Sequence, residues 1–182
     1  MAAKIDFSQL TLMDTLDMAH LIEVEAFERY TLFARQIGRS FSNDAGSVFQ
    51  SMAQNEKKHG DELAERRRTL FGDTPARVKL DDIFDVEAPD VGAPSRNMSE
   101  FKAYQVALHS EKKAFAFYDQ AIRWVTQPDV KALFEELRAE EAEHVQMIEA
   151  IIAKLPASAK IDLDDEDEDA LPNSEGRIPP RT

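Results

Sequence analysis

Apolar side chains recur at steps of three and four residues along most of the first 155 positions of the chain. Steps of this size place the apolar residues on one face of an α-helix. Glycine, which disfavours helix, occurs six times in 182 residues. The pattern predicts an all-α fold with four long helices, at residues 13–37, 44–70, 99–126 and 128–155.

The breaks in this pattern indicate how the predicted helices are connected. Gly38 follows the first helix, and residues 127–129, Gln-Pro-Asp, form a short corner between the third and the fourth. Short connections join antiparallel neighbours, so each of these breaks marks a helical hairpin. The break at residues 72–98 is much longer and contains three prolines. We expect it to join the two hairpins into a four-helix bundle with a long crossover between helices 2 and 3.

The periodic pattern stops after Leu155, and residues 162–169 are almost continuously acidic. A segment of this composition buries too little apolar surface to fold by itself. We therefore predict a folded domain at residues 1–155 and a disordered acidic tail at residues 156–182.

Charge and composition restrict the classes of function. The chain has 35 acidic and 22 basic side chains, a net charge of −13, which argues against a nucleic-acid partner. It contains no cysteine, so Glu, Asp and His remain as metal ligands. The first residues do not resemble a signal peptide, and no segment approaches the roughly 20 apolar residues that a membrane helix needs. We expect a cytoplasmic protein without a membrane partner.

The two predicted hairpins share a repeated sequence pattern. In helices one and three, a glutamate is followed at the same spacing by Ala-Phe and then by a tyrosine. In helices two and four, two apolar residues precede a Glu-x-x-His motif. The repeated positions are Glu23, Ala26, Phe27 and Tyr30 with Glu111, Ala114, Phe115 and Tyr118, and Phe49, Met52, Glu56 and His59 with Phe134, Leu137, Glu141 and His144. The repeat indicates two copies of one helical hairpin.

Acidic residues interrupt each apolar stripe near its middle. The stripes thereby bring six polar residues into one interior layer: Glu23, Glu56, His59, Glu111, Glu141 and His144. Unpaired buried carboxylates cost several kcal/mol each, and no lysine or arginine lies on the stripes at this level. Two divalent ions would neutralise four carboxylates. We therefore predict a dinuclear metal centre with these six residues as ligands.

The ligand types and their spacing narrow the chemistry of this centre. Residues three apart lie on one helix face, so the Glu and His of each Glu-x-x-His motif can reach the same metal region. Oxygen-rich ligation with one imidazole for each ion suits iron or manganese better than structural zinc. One arrangement has Glu56 and Glu141 bridging the ions and Glu23 and Glu111 as terminal ligands. The sequence leaves the pairing open. His20, one turn before Glu23, is expected to be a partly exposed histidine, with an accessory ligand role as the alternative.

The complete motif set resembles the ferritin-like superfamily, and most closely its rubrerythrin branch, over about residues 12–155. The resemblance implies a non-haem di-iron centre that reacts with dioxygen or hydrogen peroxide. It also implies that Tyr30 and Tyr118 hydrogen-bond the glutamate ligands. Two departures matter: the absence of cysteine excludes the rubredoxin-type module of rubrerythrins, and Ala114 stands where that branch has a second helix-three glutamate.

Three functional hypotheses remain. The first is a di-iron oxidoreductase that oxidises Fe(II), reduces hydrogen peroxide or dioxygen, and serves iron handling and oxidative-stress defence; manganese or a mixed metal pair is the alternative cofactor. The second is a di-iron hydroxylase that acts on an organic substrate, and the third is a non-enzymatic, metal-stabilised binding module. No Gly-x-Gly-x-x-Gly loop exists to bind a dinucleotide, so electrons must come from Fe(II) or from an external donor protein. Apolar residues outside the stripes suggest a homodimer; they are Phe41, Ile83, Phe84 and Phe117.

Overall fold

The computed structural model describes residues 6–37, 45–79, 83, 86–95 and 98–161. Within these ranges the protein contains helices and turns but no strand, so the all-α prediction is confirmed. The four long helices are α1, Leu12–Ile37; α2, Ala45–Phe71; α3, Glu100–Ile122; and α4, Pro128–Lys154. Short 3-10 helices lie at Phe7–Gln9 and Ala157–Lys160.

Local backbone chemistry fixes the helix ends. Gly72 ends α2 with φ of +56°, a left-handed conformation that glycine adopts without a Cβ penalty. The side chain of Ser99 caps α3 by accepting a hydrogen bond from the N–H of Lys102. α3 ends at Ile122, before the predicted residue 126. There the N–H groups of Arg123 and Trp124 bond to carbonyl oxygens three residues back, which tightens the last turn and stops the helix.

The helices form two antiparallel hairpins that pack into one four-helix bundle. α1 packs along α2, and α3 along α4, while α2 with α3 and α1 with α4 make the smaller contacts between hairpins. The predicted bundle with a long crossover between the second and third helices is confirmed. No described helix is long and apolar enough to cross a lipid bilayer.

The core consists of two apolar clusters separated along the bundle axis. One lies towards the start of α1 and of α4 and includes Leu16, Ile22 and Phe134. The other lies towards the end of α1 and the start of α2 and includes Phe33 and Phe49. Each fully buried side chain of this size contributes about 1.5–3 kcal/mol. The acidic layer occupies the level between the clusters, so well-packed apolar layers hold it on both sides.

An ion pair attaches the first part of the crossover to the bundle. The guanidinium of Arg77 donates to both carboxylate oxygens of Asp14 in α1, with Nε 2.9 Å from Oδ1. Burial acts to raise the pKa of Asp14, but hydrogen bonds from Arg77 and Thr11 outweigh it and hold the pKa below its ordinary value. Further along, Ile83 is buried in the first cluster. The crossover therefore forms part of the core.

Several expectations concern residues at the edges of the described ranges. Gly38, Phe41, Phe84 and the tail from residue 162 lie outside them. Residues 157–160 pack on α3, where the ammonium group of Lys160 lies 5.3 Å from the centre of the Phe101 ring. Ile83 is buried in the first cluster, and Phe117 is partly buried against it. The homodimer stays a prediction.

Candidate metal centre

The structure brings all six predicted ligand residues together as two equivalent half-sites. In the first, from α1 and α2, one ligand atom from each of Glu23, Glu56 and His59 lies within 4.8 Å of the other two. The second, from α3 and α4, meets the same distance limit with Glu111, Glu141 and His144. Each hairpin therefore supplies two carboxylates and one imidazole.

The histidine rings join the two half-sites. The rings of His59 and His144 stack with their centres 4.7 Å apart and their planes 7° from parallel. Nδ1 of His59 lies 3.9 Å from Oε2 of Glu23 and 3.8 Å from Oε2 of Glu56. Nδ1 of His144 lies 3.2 Å from Oε2 of Glu111 and 3.5 Å from Oε2 of Glu141. In both half-sites the same ring nitrogen faces the two carboxylates.

A close approach of α1 to α2 supports the first half-site. Gly60 is buried, and a Cβ at this position would lie 3.4 Å from Cβ of Glu23. Nδ1 of His20 lies 2.9 Å from the carbonyl oxygen of Gly60 and makes a hydrogen bond with it. His20 thus links the two helices, and no cluster of candidate ligands among the described residues includes it.

The carboxylates of the layer are buried and incompletely paired. The four glutamates are at most 3% exposed. Each has one buried oxygen that makes no hydrogen bond within the described part of the chain; these atoms are Oε2 of Glu23, Glu56 and Glu141 and Oε1 of Glu111. Buried polar atoms are almost always satisfied, and unpaired charges in a core are costly. One cation bound at each half-site would satisfy these atoms, so the residues present fit a metal pair.

The pKa values of the metal-free layer reflect the presence of several buried carboxylates close together. Burial, reinforced by the charges of Glu56 and Glu141, raises the pKa of Glu23 well above its ordinary value. Burial also raises the pKa of Glu141 to about 8, with the charge of Glu111 adding to the effect and His144 opposing it. Burial alone would lower the pKa of His144, but its interactions with Glu111 and Glu141 raise it to about 10. Without metal, the layer holds protons to limit its negative charge.

Tyr30 and Tyr118 lie fully buried, in the apolar clusters on either side of the layer. Burial raises the pKa of both phenols well above its ordinary value, as do the charges of Glu111 on Tyr30 and of Glu141 on Tyr118. Neither hydroxyl group makes a hydrogen bond to any described residue. The expected hydrogen bonds to glutamate ligands are therefore not formed in this structure, and that role stays a prediction.

A fifth carboxylate, Glu87, reaches the layer from the crossover and was not predicted. It is 1% exposed, and its carboxylate lies within 4.8 Å of Glu23 and Glu141 and also of Glu56 and Glu111. Burial, followed by the charges of Glu23 and Glu141, raises its pKa well above the ordinary value. Its sequence signal is weak: a glutamate between Val86 and Ala88 in a segment without helical periodicity.

A cavity of about 360 Å³ lies between α2 and α4 on the outer side of the two histidines. Both imidazoles line it, and they are the partly exposed members of the layer. Arg66 forms an ion pair with Glu136 at 2.8 Å, and Lys58 forms one with Glu62 at 3.7 Å. Glu140 is the remaining charged side chain of the lining. Burial in this cavity and the charge of Glu136 raise the pKa of Glu140. The cavity connects solvent to the histidine side of the layer.

Comparison with known proteins identifies the family. An uncharacterised conserved protein of Magnetospirillum magnetotacticum MS-1, of known crystal structure, is 31% identical with a TM-score of 0.63, over 81% of this chain and 97% of its own. The bacterioferritin of Rhodobacter capsulatus is 18% identical with a TM-score of 0.48, over 78% of this chain and 83% of its own. A search of curated proteins gave no significant match. The family model of rubrerythrin matches residues 14–152, which include all four helices almost completely and all six predicted ligands. The chain therefore belongs to the rubrerythrin family, with a ferritin-like four-helix bundle.

Proposed function

We propose that this protein is a di-iron oxidoreductase of the ferroxidase or peroxidase type, which oxidises Fe(II) with hydrogen peroxide or dioxygen. The observation that carries the proposal is the pair of equivalent half-sites with unsatisfied, buried carboxylate oxygens. Glu23, Glu56 and His59 would hold one ion, and Glu111, Glu141 and His144 the other. Sharing of Glu56 and Glu141 between the two ions stays a prediction.

The charge and chemical type of the ligands support iron, with manganese as the alternative metal. Four carboxylates balance the four positive charges of two divalent ions, and one imidazole for each ion is typical of iron and manganese sites. The bound pair would supply two electrons, one from each Fe(II), so that peroxide and two protons give two molecules of water. The surrounding residues exclude bulk water, because the carboxylates of the layer are almost completely buried. Tyr30 and Tyr118 keep their protons at neutral pH, so each hydroxyl group beside the layer is able to donate a hydrogen bond.

The lining of the cavity between α2 and α4 suits reactants that are small and charged or polar. Lys58 and Arg66 also line the cavity and form ion pairs with Glu62 and Glu136. Glu140 has no ion-pair partner among the described residues, so it is the carboxylate that attracts a cation towards the histidine side of the layer. Leu63 and Leu137 are the apolar residues of the lining. An apolar organic substrate would displace water from these charged groups without replacing their hydrogen bonds. The lining therefore favours Fe(II) and peroxide over the substrate of a hydroxylase.

Stopped-flow mixing of Fe(II)-loaded protein with peroxide tests the proposed activity. We expect rapid oxidation of Fe(II) by the wild type, little turnover with NADH unless an electron-transfer protein is added, and rates at least about tenfold lower in Glu23→Ala and His144→Ala. The matched control is Glu143→Gln, an exposed glutamate next to His144, which should keep the wild-type rate. Equal rates in the wild type and both layer variants would show that the layer is not the reaction centre.

A second experiment tests the route to the centre. Replacing Glu140 with glutamine removes a negative charge from the cavity, so at low Fe(II) concentration we expect the initial oxidation rate to fall by about 2- to 5-fold. The number of ions bound at equilibrium should not change, because Glu140 lies outside both half-sites. Glu135→Gln, an exposed change on the same helix, is the control. A lower metal content in Glu140→Gln would contradict a role limited to access.

A further inference from the structure

Glu87 differs from the other glutamates of the layer because it comes from the crossover. Its carboxylate lies near Glu23 and Glu141, one from each half-site, and near Glu56 and Glu111, again one from each. Neither cluster with Glu87 contains a histidine. Within the described residues, Glu87 is thus a carboxylate outside both half-sites that lies close to glutamates of both.

The position of Glu87 is built into the fold. The carbonyl oxygen of Ala88 accepts a hydrogen bond from Nζ of Lys113 in α3 at 3.0 Å, and that of Pro89 accepts one from Nη1 of Arg29 in α1 at 2.9 Å. Arg29 also pairs with buried Glu25, which holds its guanidinium in place. Ala88 is completely buried. The two residues that follow Glu87 are therefore attached to one helix of each hairpin.

The side chain of Glu87 also has an unsatisfied acceptor at the layer. Its Oε2 is buried and makes no hydrogen bond to any described residue, as is true of one oxygen in each of the four helix glutamates. α3 offers no second carboxylate one turn beyond Glu111, because Ala114 occupies that position. The crossover thus supplies a fifth acidic group.

We propose that Glu87 is a seventh ligand of the metal pair, placed by the crossover within reach of both ions. This inference rests on the proposed di-iron function, and it adds one negative charge to the centre. Five carboxylates exceed the charge of two ferrous ions by one, whereas two ferric ions carry one positive charge more than five carboxylates. Glu87 therefore stabilises the oxidised pair relative to the reduced pair.

Titration of the metal-free protein with Co(II), followed by calorimetry and by the visible absorbance of bound cobalt, tests this role. The wild type should bind two ions, and Glu87→Gln should bind them at least about tenfold more weakly with an altered visible spectrum. Glutamine keeps the size of the side chain and one acceptor oxygen but loses the negative charge, so the change tests the charged ligand with little change in shape. Asp73→Asn, the corresponding acid-to-amide change at an exposed residue near the start of the crossover, should match the wild type.

The possible results are distinct. Identical Co(II) affinity and spectrum in the wild type and Glu87→Gln would overturn the seventh ligand while leaving the six-residue centre intact. No binding of Co(II) by the wild type would overturn the proposed metal pair and this inference with it. Iron-loaded Glu87→Gln should also show a higher reduction potential than the wild type and Asp73→Asn. An unchanged potential would show that Glu87 places no charge at the centre.

Discussion

Replacing Glu56 and Glu141 together with alanine is expected to abolish binding of the metal pair and to lower the rate of Fe(II) oxidation by at least about 100-fold. Each half-site would lose one of its two carboxylates. One helix carboxylate and one imidazole would remain for each ion, which is too few ligands and too little charge for a divalent pair. Glu87 lies close to both positions, but one carboxylate cannot replace two. The apolar layers on either side are well packed, so further side chains cannot easily move in.

Elemental analysis of the purified variant gives the number of ions per chain, and stopped-flow absorbance gives the rate. The matched control is the double variant Glu135→Ala and Glu143→Ala, which removes two exposed glutamates from α4 and should retain two ions. Circular dichroism establishes that both variants keep the helical bundle. If the Glu56→Ala, Glu141→Ala double variant still bound two ions per chain, neither residue would be an essential metal ligand.

The metal-free protein is expected to lose stability as the pH rises from 5 to 8. Below about pH 4.5, Glu23 and Glu141 are protonated in the folded and unfolded states, and burying them carries no charge penalty. Their pKa values are raised in the folded protein, to about 8 for Glu141, so the unfolded state loses protons first and unfolding becomes easier. His144, with a pKa raised to about 10, changes stability in the same direction, because its contribution is lost as the pH rises through that value.

Thermal denaturation at several pH values measures this effect. For a chain of this size, a net loss of about 3 kcal/mol corresponds to a decrease of roughly 6–12 °C in melting temperature. Metal-loaded protein should not show the decrease, since bound cations replace the protons and the affinity for metal rises with pH. In the metal-free protein, Glu141→Gln should show a smaller decrease in melting temperature than the wild type, and Glu143→Gln should show the same decrease as the wild type. A melting temperature of the metal-free protein that rises between pH 5 and 8 would contradict this account.

The sequence predicted the parts of the site that depend on helical periodicity. Glu23 and Glu111 interrupt apolar stripes at matching positions, so their place in a common layer follows from the period and the repeat. Glu87 could not be found in this way, because its position depends on contacts of Lys113 and Arg29 with the crossover backbone, between residues far apart in the sequence. The cavity outside the histidines depends equally on how two helices of different hairpins pack.

The early end of α3 and the surroundings of the two tyrosines also depend on local contacts that helical periodicity does not predict. The apolar spacing continues past Ile122, but the local turn at Arg123 and Trp124 ends the helix. The resemblance implied hydrogen bonds from Tyr30 and Tyr118 to glutamates, whereas both hydroxyl groups lack a partner among the described residues. Periodicity predicts which helix face is buried, but not the rotation of a phenol within it.

Each hairpin supplies one half-site, and this has a consequence for how the protein matures during its synthesis. The first hairpin is synthesised before Glu111, Glu141 and His144, so a nascent chain that ends in the crossover offers only three of the six helix ligands. Two carboxylates and one imidazole form a weak, open site that exchanges its ion readily. Stable retention of a pair as proposed here requires the second hairpin to dock, and metal uptake then becomes the final step of folding, which selects completed chains over truncated ones.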